Sequence, residues 1–196
     1  MSVTLRRLTA ADYVTTRWSG GETTQIAIAP AGAVYADRDF LWRVSSATVE
    51  QEASDFTPLP DYERDLSTVE GSIRVYHDGG AAISLTPGTI HRFDGGAATR
   101  SEGLCRDFNL MLRKGRCTGE MRCAHLTEGE TLALPQNGQQ TTLVVYCAAG
   151  DGELSAGGET VSFTQGESAI VENGSAELCC SGPSTFFLCR ITETSH

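Results

Sequence analysis

Residues 40–66, FLWRVSSATVEQEASDFTPLPDYERDL, begin as a strand whose side chains alternate between two faces. Five residues share one of these faces: Leu41, Arg43, Ser45, Ala47 and Val49. Burying a guanidinium group without a partner is costly, so Arg43 should either reach solvent or meet an anion in a cavity. The two prolines of residues 55–60, DFTPLP, predict an ordered loop that ends the strand and leads to Arg64. We therefore expect a pocket beside this stretch.

The composition favours an all-β architecture made of many short strands. The chain has 196 residues, 21 of them glycine, and shows little apolar periodicity of the helical kind. Its formal net charge of −10 argues against a nucleic-acid or anionic-membrane surface, because phosphate binding needs clustered Lys and Arg. No apolar run approaches the roughly 18 residues of a transmembrane helix. The amino-terminal residues also lack the apolar core of a signal peptide.

The seven cysteines are odd in number and contain no CxxC spacing. Five residues separate Cys117 from Cys123, and Cys179 is adjacent to Cys180. Neither spacing fits a zinc site or a disulfide framework. We predict that most of the cysteines are small buried side chains in a reducing cytoplasm.

An internal repeat predicts two related β units. Gly79–Gly96 aligns without a gap to Gly157–Gly174, with six identical residues in 18 positions. We predict an amino-terminal unit over residues 1–115 and a carboxy-terminal unit over residues 116–196, with terminal strands able to exchange between them.

The region between the repeats, residues 113–140, is predicted to be mainly a linker. It is rich in Lys, Arg and Gly at its start and contains a Pro-Gln-Asn-Gly turn at residues 135–138. Within it, residues 116–126 are a candidate edge strand.

Three segments together carry a family resemblance: Trp18–Pro30, Phe40–Leu66 and His91–Gly115. They contain, in the family's order, WSGG at 18–21, WRVS at 42–45, FT at 56–57, Arg64, FDG at 93–95 and DFNLM at 107–111. With these motifs the chain resembles the HutD/Ves family of bicupin proteins over about its first 115 residues.

The resemblance implies a bicupin, that is, two tandem cupin-like antiparallel β-barrel or sandwich units in one chain. HutD-type members are accessory or regulatory proteins of histidine utilisation, with a small acidic pathway intermediate proposed as ligand, and Ves-type members are linked to stress conditions. This sequence departs from the family pattern at two places. Ser19 precedes two glycines where an Asn often precedes three, and Gln25 stands where Glu is common. These departures predict a variant ligand.

Metal and nucleophilic chemistry find little support in the sequence, so we predict no catalytic residue, no bound metal and no cofactor. Cupin metal sites need several His and carboxylates, and this chain has four histidines and no H-x-H. It also has no G-x-S-x-G elbow and no recognisable Cys–His motif. We predict that each histidine is exposed or hydrogen-bonded: His77, His91, His125 and His196.

The chemistry that remains is anion recognition. Arg43 and Arg64 each offer a planar fork to a carboxylate, a Gly-rich loop can close over a ligand, and Phe93 and Asn109 would give an apolar wall and an orienting amide. The predicted ligand-binding residues are Trp18, Gly20, Gly21, Thr23, Thr24, Arg43, Ser45, Arg64, Phe93, Asp107 and Asn109. The alternative is internal pairing of the two arginines with native acids: Asp107, Glu63 or Asp65.

The function we predict is non-catalytic binding of a small carboxylate-containing metabolite, serving regulation of histidine or other amino-acid catabolism or a stress response. A divergent cupin enzyme acting on a similar acidic metabolite is the first alternative. A protein that interacts through exposed β edges, as a homodimer, is the second. We expect neither nucleic acid nor membrane as a partner.

Overall fold

This computed structural model describes residues 2–136 and 140–194, which form strands joined by turns. A 3-10 helix at Tyr35–Asp37 is the only helix in those two ranges, so the all-β prediction is confirmed. No helix there is long and apolar enough to cross a membrane. The strands, in chain order, are β1 (Thr4–Leu8), β2 (Val14–Trp18), β3 (Gly21–Ala29), β4 (Trp42–Val49), β5 (Ala53–Asp55), β6 (Tyr62–Gly71), β7 (Ile73–His77), β8 (Ile83–Leu85), β9 (His91–Asp94), β10 (Thr99–Glu102), β11 (Cys105–Arg113), β12 (Cys117–Leu126), β13 (Thr131–Leu134), β14 (Thr141–Ala149), β15 (Asp151–Ala156), β16 (Glu159–Thr164), β17 (Ser168–Glu172), β18 (Ala176–Cys179) and β19 (Ser184–Glu193).

The chain forms two compact units. The first unit is Val14–Cys117, and the second unit is Met1–Tyr13 together with Thr118–His196. The first unit contains a six-stranded sheet in the order β2-β3-β4-β11-β6-β9 and a four-stranded sheet in the order β5-β10-β7-β8. The second unit contains a five-stranded sheet, β1-β17-β14-β19-β12, and a four-stranded sheet, β13-β18-β15-β16.

The two units share one strand order. Adding eight to each label converts β4-β11-β6-β9 into β12-β19-β14-β17 and β5-β10-β7-β8 into β13-β18-β15-β16. The repeated sequence segments fall on equivalent strands, β8–β9 and β16–β17, and the aligned Leu85 and Phe163 are both buried. The shared strand order is consistent with the predicted pair of related β units.

The prediction of a linker over residues 113–140 is wrong for most of its length. Only a short turn at Gly115 separates β11 from β12, and β13 follows at Thr131–Leu134. The Arg, Lys and Gly residues that suggested a linker, residues 113–116, lie at the end of β11 and in this turn. The charged residues of β12, Glu120 and Arg122, are exposed, and a strand at the border of a sheet tolerates them. The edge-strand prediction is confirmed, because β12 is the outermost strand of its sheet. Asn137 and Gly138 of the predicted turn lie outside the described residues.

The second unit has an apolar core between its sheets. Its buried members include Leu143 and Val145 on β14 and Phe186 and Leu188 on β19. All seven cysteines of the chain lie within the described residues and none forms a disulfide bond. Five of them are buried, which confirms the prediction that most are buried: Cys105, Cys117, Cys147, Cys180 and Cys189.

Candidate functional site

The first unit encloses a cavity of about 310 Å³. Four alternate residues of β4 line it: Arg43, Ser45, Ala47 and Val49. This confirms the predicted face of the strand. The remaining lining residues come from β2, β3, β5, β6, β11, the 3-10 helix and the loop after β5. They are Thr16, Trp18, Thr23, Tyr35, Ser54, Asp55, Phe56, Thr57, Arg64, Asp107, Asn109 and Met111.

Arg43 is buried, with 5% of its surface exposed. Its Nε donates a hydrogen bond to Gln25 Oε1 at 2.8 Å, and one terminal nitrogen donates to Ser45 Oγ at 3.1 Å. A bulge in β3 between Gln25 and Ala27 changes the register against β4 and sets Gln25 opposite Ser45. Burial lowers the pKa of the Arg43 guanidinium from its ordinary value. Both of its hydrogen-bond partners are neutral, so neither compensates its charge.

Arg64 is buried to a similar degree, with 6% of its surface exposed, and in addition its Nε has no hydrogen-bond partner in the described part of the chain. Its guanidinium carbon lies 4.9 Å from the centre of the Phe56 ring and 5.3 Å from that of Phe93. Burial lowers its pKa to about 10, and the like charge of Arg43 acts in the same direction. The rings supply dispersion and cation–π attraction, but neither is an anion.

The internal ion pairs that would consume the two arginines do not form. Within residues 2–136 and 140–194, neither guanidinium has a carboxylate oxygen within 4.0 Å. Asp65 instead accepts two hydrogen bonds from Arg92, at 2.6 and 2.8 Å. The first unit therefore buries two cations beside one cavity without a contacting native acid.

Asp107 is the buried carboxylate of the cavity. It follows a bulge in β11 between Arg106 and Asp107, and its Oδ1 accepts a hydrogen bond from the Ala47 backbone N–H at 2.9 Å. Burial raises its pKa to about 6, although the charges of Arg64 and Arg43 act to lower it. Burial therefore outweighs both arginines at this carboxyl group.

Two further polar atoms of the lining are buried without a partner. Asn109 Oδ1 and Ser54 Oγ belong to residues that line the cavity, and neither has a hydrogen-bond partner in the described part of the chain. Such atoms cost free energy unless a bound group satisfies them. Together with Arg64 Nε they mark this cavity as the polar interior of the first unit.

The matching positions in the second unit are apolar. In the ladders, β11 pairs with β6 as Asn109–Leu66 and Asp107–Thr68, and β19 pairs with β14 as Leu188–Val145 and Phe186–Cys147. Leu188 and Phe186 thus occupy the places of Asn109 and Asp107, and both belong to the apolar core. The second unit shows that this topology also forms with an apolar interior. The polar lining is therefore specific to the first unit and is not required by the fold.

Seven of the predicted ligand-binding residues line the cavity: Trp18, Thr23, Arg43, Ser45, Arg64, Asp107 and Asn109. Four do not. Gly20 lies against the Trp18 ring, which a Cβ at Gly20 would overlap. Gly21 lies against the Thr48 carbonyl with φ +148°, so it permits a close approach between β3 and β4.

The other two residues outside the lining are Thr24 and Phe93. Thr24 is hydrogen-bonded to Thr15 Oγ1 at 2.9 Å, on the face of β3 opposite to Thr23. Phe93 belongs to an apolar cluster with Leu66 and supports Arg64 from one side. Its place is behind the arginine and not on the cavity wall.

Sequence reasoning missed several lining residues. Phe56 and Thr57 were part of the quoted family motif, and that motif was the available signal for them. Tyr35 carried no signal, yet its ring lies 4.4 Å from the Arg43 guanidinium carbon. Gln25 was noted as a departure from the family pattern, and its contact with Arg43 was not foreseen.

His77, His91 and His125, the histidines within the described ranges, lie outside the cavity lining. His77 Nε2 and His91 Nε2 share a hydrogen bond at 2.8 Å, and we call these two residues the histidine pair. His125 is hydrogen-bonded to Thr185 at 3.0 Å. The prediction of exposed or hydrogen-bonded histidines is confirmed for these three, and His196 lies outside the described residues.

The cavity does not fit the metal ions that many cupins hold. Such sites need imidazole and carboxylate ligands that converge on one point, and the lining offers Asp55 and Asp107 but neither His nor Cys. Two guanidinium groups in the same cavity would repel a cation. The described residues also contain no group of three His, Cys, Asp or Glu side chains that could hold a metal ion.

The comparison with known families gives a match to the HutD family profile over residues 10–188. The chain belongs to the HutD family. The Ves proteins of Citrobacter koseri and Cronobacter sakazakii are 34% and 31% identical to it over 117 and 116 residues. Each match covers 57% of this chain, and it spans 58% and 61% of the two relatives.

Solved structures show the fold. A conserved protein of unknown function from Pseudomonas aeruginosa PAO1 matches with a TM-score of 0.83 at 23% identity, over 96% of this chain and 99% of the other. HutD from Pseudomonas fluorescens SBW25 matches with a TM-score of 0.75 at 22% identity, over 98% and 100%. A cupin 2 conserved barrel domain protein from Leptotrichia buccalis has a TM-score of 0.58 at 12% identity and covers 92% of both chains. The chain therefore has the cupin fold of the HutD family.

Proposed function

We propose that the cavity of the first unit binds a small carboxylate-containing metabolite, and that the protein is a non-catalytic binding protein. The observation that carries this proposal is Arg64, a buried guanidinium whose Nε has no hydrogen-bond partner and which contacts no acid among the residues that the structure describes. Desolvating an ion costs several kcal/mol unless an opposite charge and hydrogen bonds compensate it. A carboxylate in the cavity offers both, because its two oxygens match the guanidinium fork.

The size of the cavity limits the ligand to a small molecule. A volume of about 310 Å³ is at the lower end of ligand pockets. Arg43 and Arg64 supply positive charge, and Asn109 and Ser54 supply polar atoms that orient the bound group. A macromolecular anion has no route into a space of this size, and a hydrocarbon ligand would leave these polar groups unsatisfied.

Family membership supports a metabolite of amino-acid catabolism. HutD from Pseudomonas fluorescens SBW25 was solved in a formate condition, and formate is the smallest carboxylate. We propose that this chain serves as a regulatory or accessory protein in histidine or other amino-acid catabolism, with a stress-related role as the Ves-type variant of the proposal. A cytoplasmic location is part of the same proposal, since seven cysteines without a disulfide suit a reducing compartment.

Calorimetry against a panel of metabolites tests the proposal. Histidine, urocanate, formiminoglutamate and formylglutamate are titrated into the protein, with sodium chloride as the anion control. We expect at least one of the four to bind more tightly than chloride and to lose binding in Arg64→Met. The matched control is Arg74→Met, which removes an exposed arginine paired with Glu102. Binding no better than that of chloride for all four, or equal losses in both variants, would contradict the proposal.

One observation favours an enzyme as second candidate. Asp107 combines a pKa of about 6 with a position in the cavity, and these are the properties of a general base. Incubation of each panel metabolite with the protein, followed by mass spectrometry, tests this candidate. Turnover that disappears in Asp107→Asn would favour the enzyme over the binding protein.

Self-association stays a prediction. The β2 strand is at the border of its sheet and all five of its residues are exposed, so its backbone edge can accept a partner strand. Light scattering on a concentrated sample tests whether a homodimer forms.

A further inference from the structure

Asp107 poses an electrostatic problem for any anion that enters the cavity. Its side chain is buried, with 7% of the residue exposed, and it lines the same space as the two arginines. Oδ1 is held by the Ala47 N–H, and no hydrogen bond within the described ranges reaches Oδ2. A carboxylate drawn to Arg43 and Arg64 must therefore approach a second carboxylate, whose open oxygen is an acceptor like its own.

Three groups decide the charge of this space when Asp107 is ionised. Arg43 and Arg64 contribute two positive charges, and Asp107 contributes one negative charge. A bound carboxylate makes the total neutral but sets two acids beside each other, one of which is the buried Asp107. Two carboxylates that share a buried site cannot both remain ionised easily, and the usual outcome is that they share a proton.

We propose that a carboxylate enters this cavity together with one proton, which is held on Asp107 Oδ2 and donated as a hydrogen bond to the bound anion. The inference rests on the proposed function and adds a linkage to it. The proton comes from solvent, no covalent bond between heavy atoms forms or breaks, and the charge of the cavity returns to one net positive charge. The product is an O–H···O⁻ hydrogen bond, which is short and strong.

The groups that face Asp107 from the neighbouring strands are consistent with this linkage. Arg43 on β4 and Arg64 on β6 lower the pKa of Asp107, and burial raises it to about 6. Cys105 lies two residues earlier on β11, and burial raises its pKa to about 12, so it stays neutral. Asp55, the other carboxylate of the lining, is exposed and paired with Arg100 at 3.3 Å. Asp107 is therefore the group that starts ionised at neutral pH and is close to taking up a proton.

The proposal predicts a definite dependence on pH. Above a pH of about 6, each further pH unit should raise the apparent Kd for a carboxylate roughly tenfold, until the pKa of the complex is reached. Below a pH of about 5, Asp107 is already protonated in the free protein, so binding should take up no proton. A ligand with an N–H group facing Asp107 would not show this linkage, so the probe must lack hydrogen-bond donors.

Isothermal titration calorimetry with sodium formate tests the inference, because formate stays ionised throughout and carries no N–H or O–H donor. Titrations at about pH 7 in imidazole and in Tris, two cationic buffers that do not compete with an anion for the arginines, give the number of protons taken up from the difference in observed heat. We expect roughly 0.5 to 1 proton at about pH 7 and none at about pH 5. Asp107→Asn keeps an oxygen that can accept the Ala47 N–H and offers a permanent N–H, so it should bind formate with a Kd independent of pH and without proton uptake.

Each outcome bears on the inference. Formate binding without uptake at about pH 7 overturns it and leaves the proposed function intact. Uptake that persists in Asp107→Asn overturns the assignment to Asp107, and Glu70→Gln, a surface carboxylate paired with Arg106, should keep the uptake. Absence of saturable formate binding at both pH values also overturns it, whereas the proposed function is judged by the metabolite panel. The uptake measured on the unmodified protein decides the question even where Asp107→Asn fails to fold.

Discussion

Replacing Arg64 with methionine should make the ligand-free protein more stable while it removes anion binding. The lowering of its pKa from 12.5 to about 10 corresponds to a cost of roughly 3 kcal/mol for the buried charge. Methionine is unbranched and fits between Phe56 and Phe93 without needing an opposite charge. The substitution also gives up the cation–π contacts and leaves some space unfilled, so we expect a net gain of roughly 1–2 kcal/mol.

Thermal unfolding without added carboxylate measures this gain. A net stabilisation of that size should raise the Tm of Arg64→Met by roughly 2–8 °C. The matched control is Arg92→Met, which takes a guanidinium away from Asp65, whose side chain is 3% exposed. That change leaves a buried carboxylate without this partner and should lower the Tm. Opposite signs from two arginine-to-methionine changes would separate a binding arginine from a structural one.

A Tm of Arg64→Met below that of the unmodified protein, with a decrease that matches that of Arg92→Met, would contradict this prediction. Arg64 would then stabilise the fold itself, and its orphaned Nε would have no functional meaning. Retained formate binding in Arg64→Met would refute the second half of the prediction independently of stability.

Three further substitutions address the surroundings of the cavity. Gln25→Glu places a carboxylate on Arg43 and compensates the charge that should attract the ligand. It should weaken formate binding by roughly tenfold to thirtyfold in a calorimetric titration, which is about 1.4–2 kcal/mol. Burial lowers the pKa of both members of the histidine pair below 6.5, so the folded state binds fewer protons than the unfolded state and loses stability as the pH falls below that value. His91→Gln should reduce this loss, which is measured as the difference between the urea unfolding midpoints at about pH 7.5 and about pH 5.5. Gly21→Ala drives a methyl group into the Thr48 carbonyl and should lower the free energy of unfolding by at least about 2 kcal/mol. The control is Gly182→Ala, whose methyl group would lie in open space and should change the free energy of unfolding by less than about 0.5 kcal/mol.

Each of these has an outcome that contradicts it. Unchanged formate affinity in Gln25→Glu would show that the charge of Arg43 plays no part in recognition. An equally steep loss of stability in His91→Gln would place the proton elsewhere. Equal stabilities for Gly21→Ala and Gly182→Ala would mean that β3 and β4 can separate at little cost.

The strand that carries Arg43 could be predicted from sequence because its signal is local. Alternation with period two depends only on neighbouring residues, and it identified the face that lines the cavity. The internal repeat could also be recognised from sequence. Turn glycines and buried positions such as Leu85 and Phe163 keep their spacing when the strands between them keep their lengths.

Other features depend on information that no local pattern contains. The bulge at Gln25 decides that this side chain reaches Arg43, and a bulge is a property of two paired strands. Tyr35 lies in the segment between β3 and β4, and the path of that segment is set by tertiary packing. Its contact with Arg43 therefore could not be predicted from a local sequence pattern. The linker prediction over residues 113–140 missed β13, at Thr131–Leu134, because a four-residue strand is too short for an alternating pattern to distinguish it from a loop.

Trp18 makes ligand binding in the cavity accessible to tryptophan fluorescence. The chain has two tryptophans, and Trp18 lines the cavity with 38% of its surface exposed, while Trp42 is 5% exposed. Emission from an indole that is partly in water responds to changes in its surroundings, whereas a buried indole should act as a nearly constant background. Trp42→Phe would leave a single emitter at the entrance, so the unlabelled protein could report the arrival of its own ligand by fluorescence.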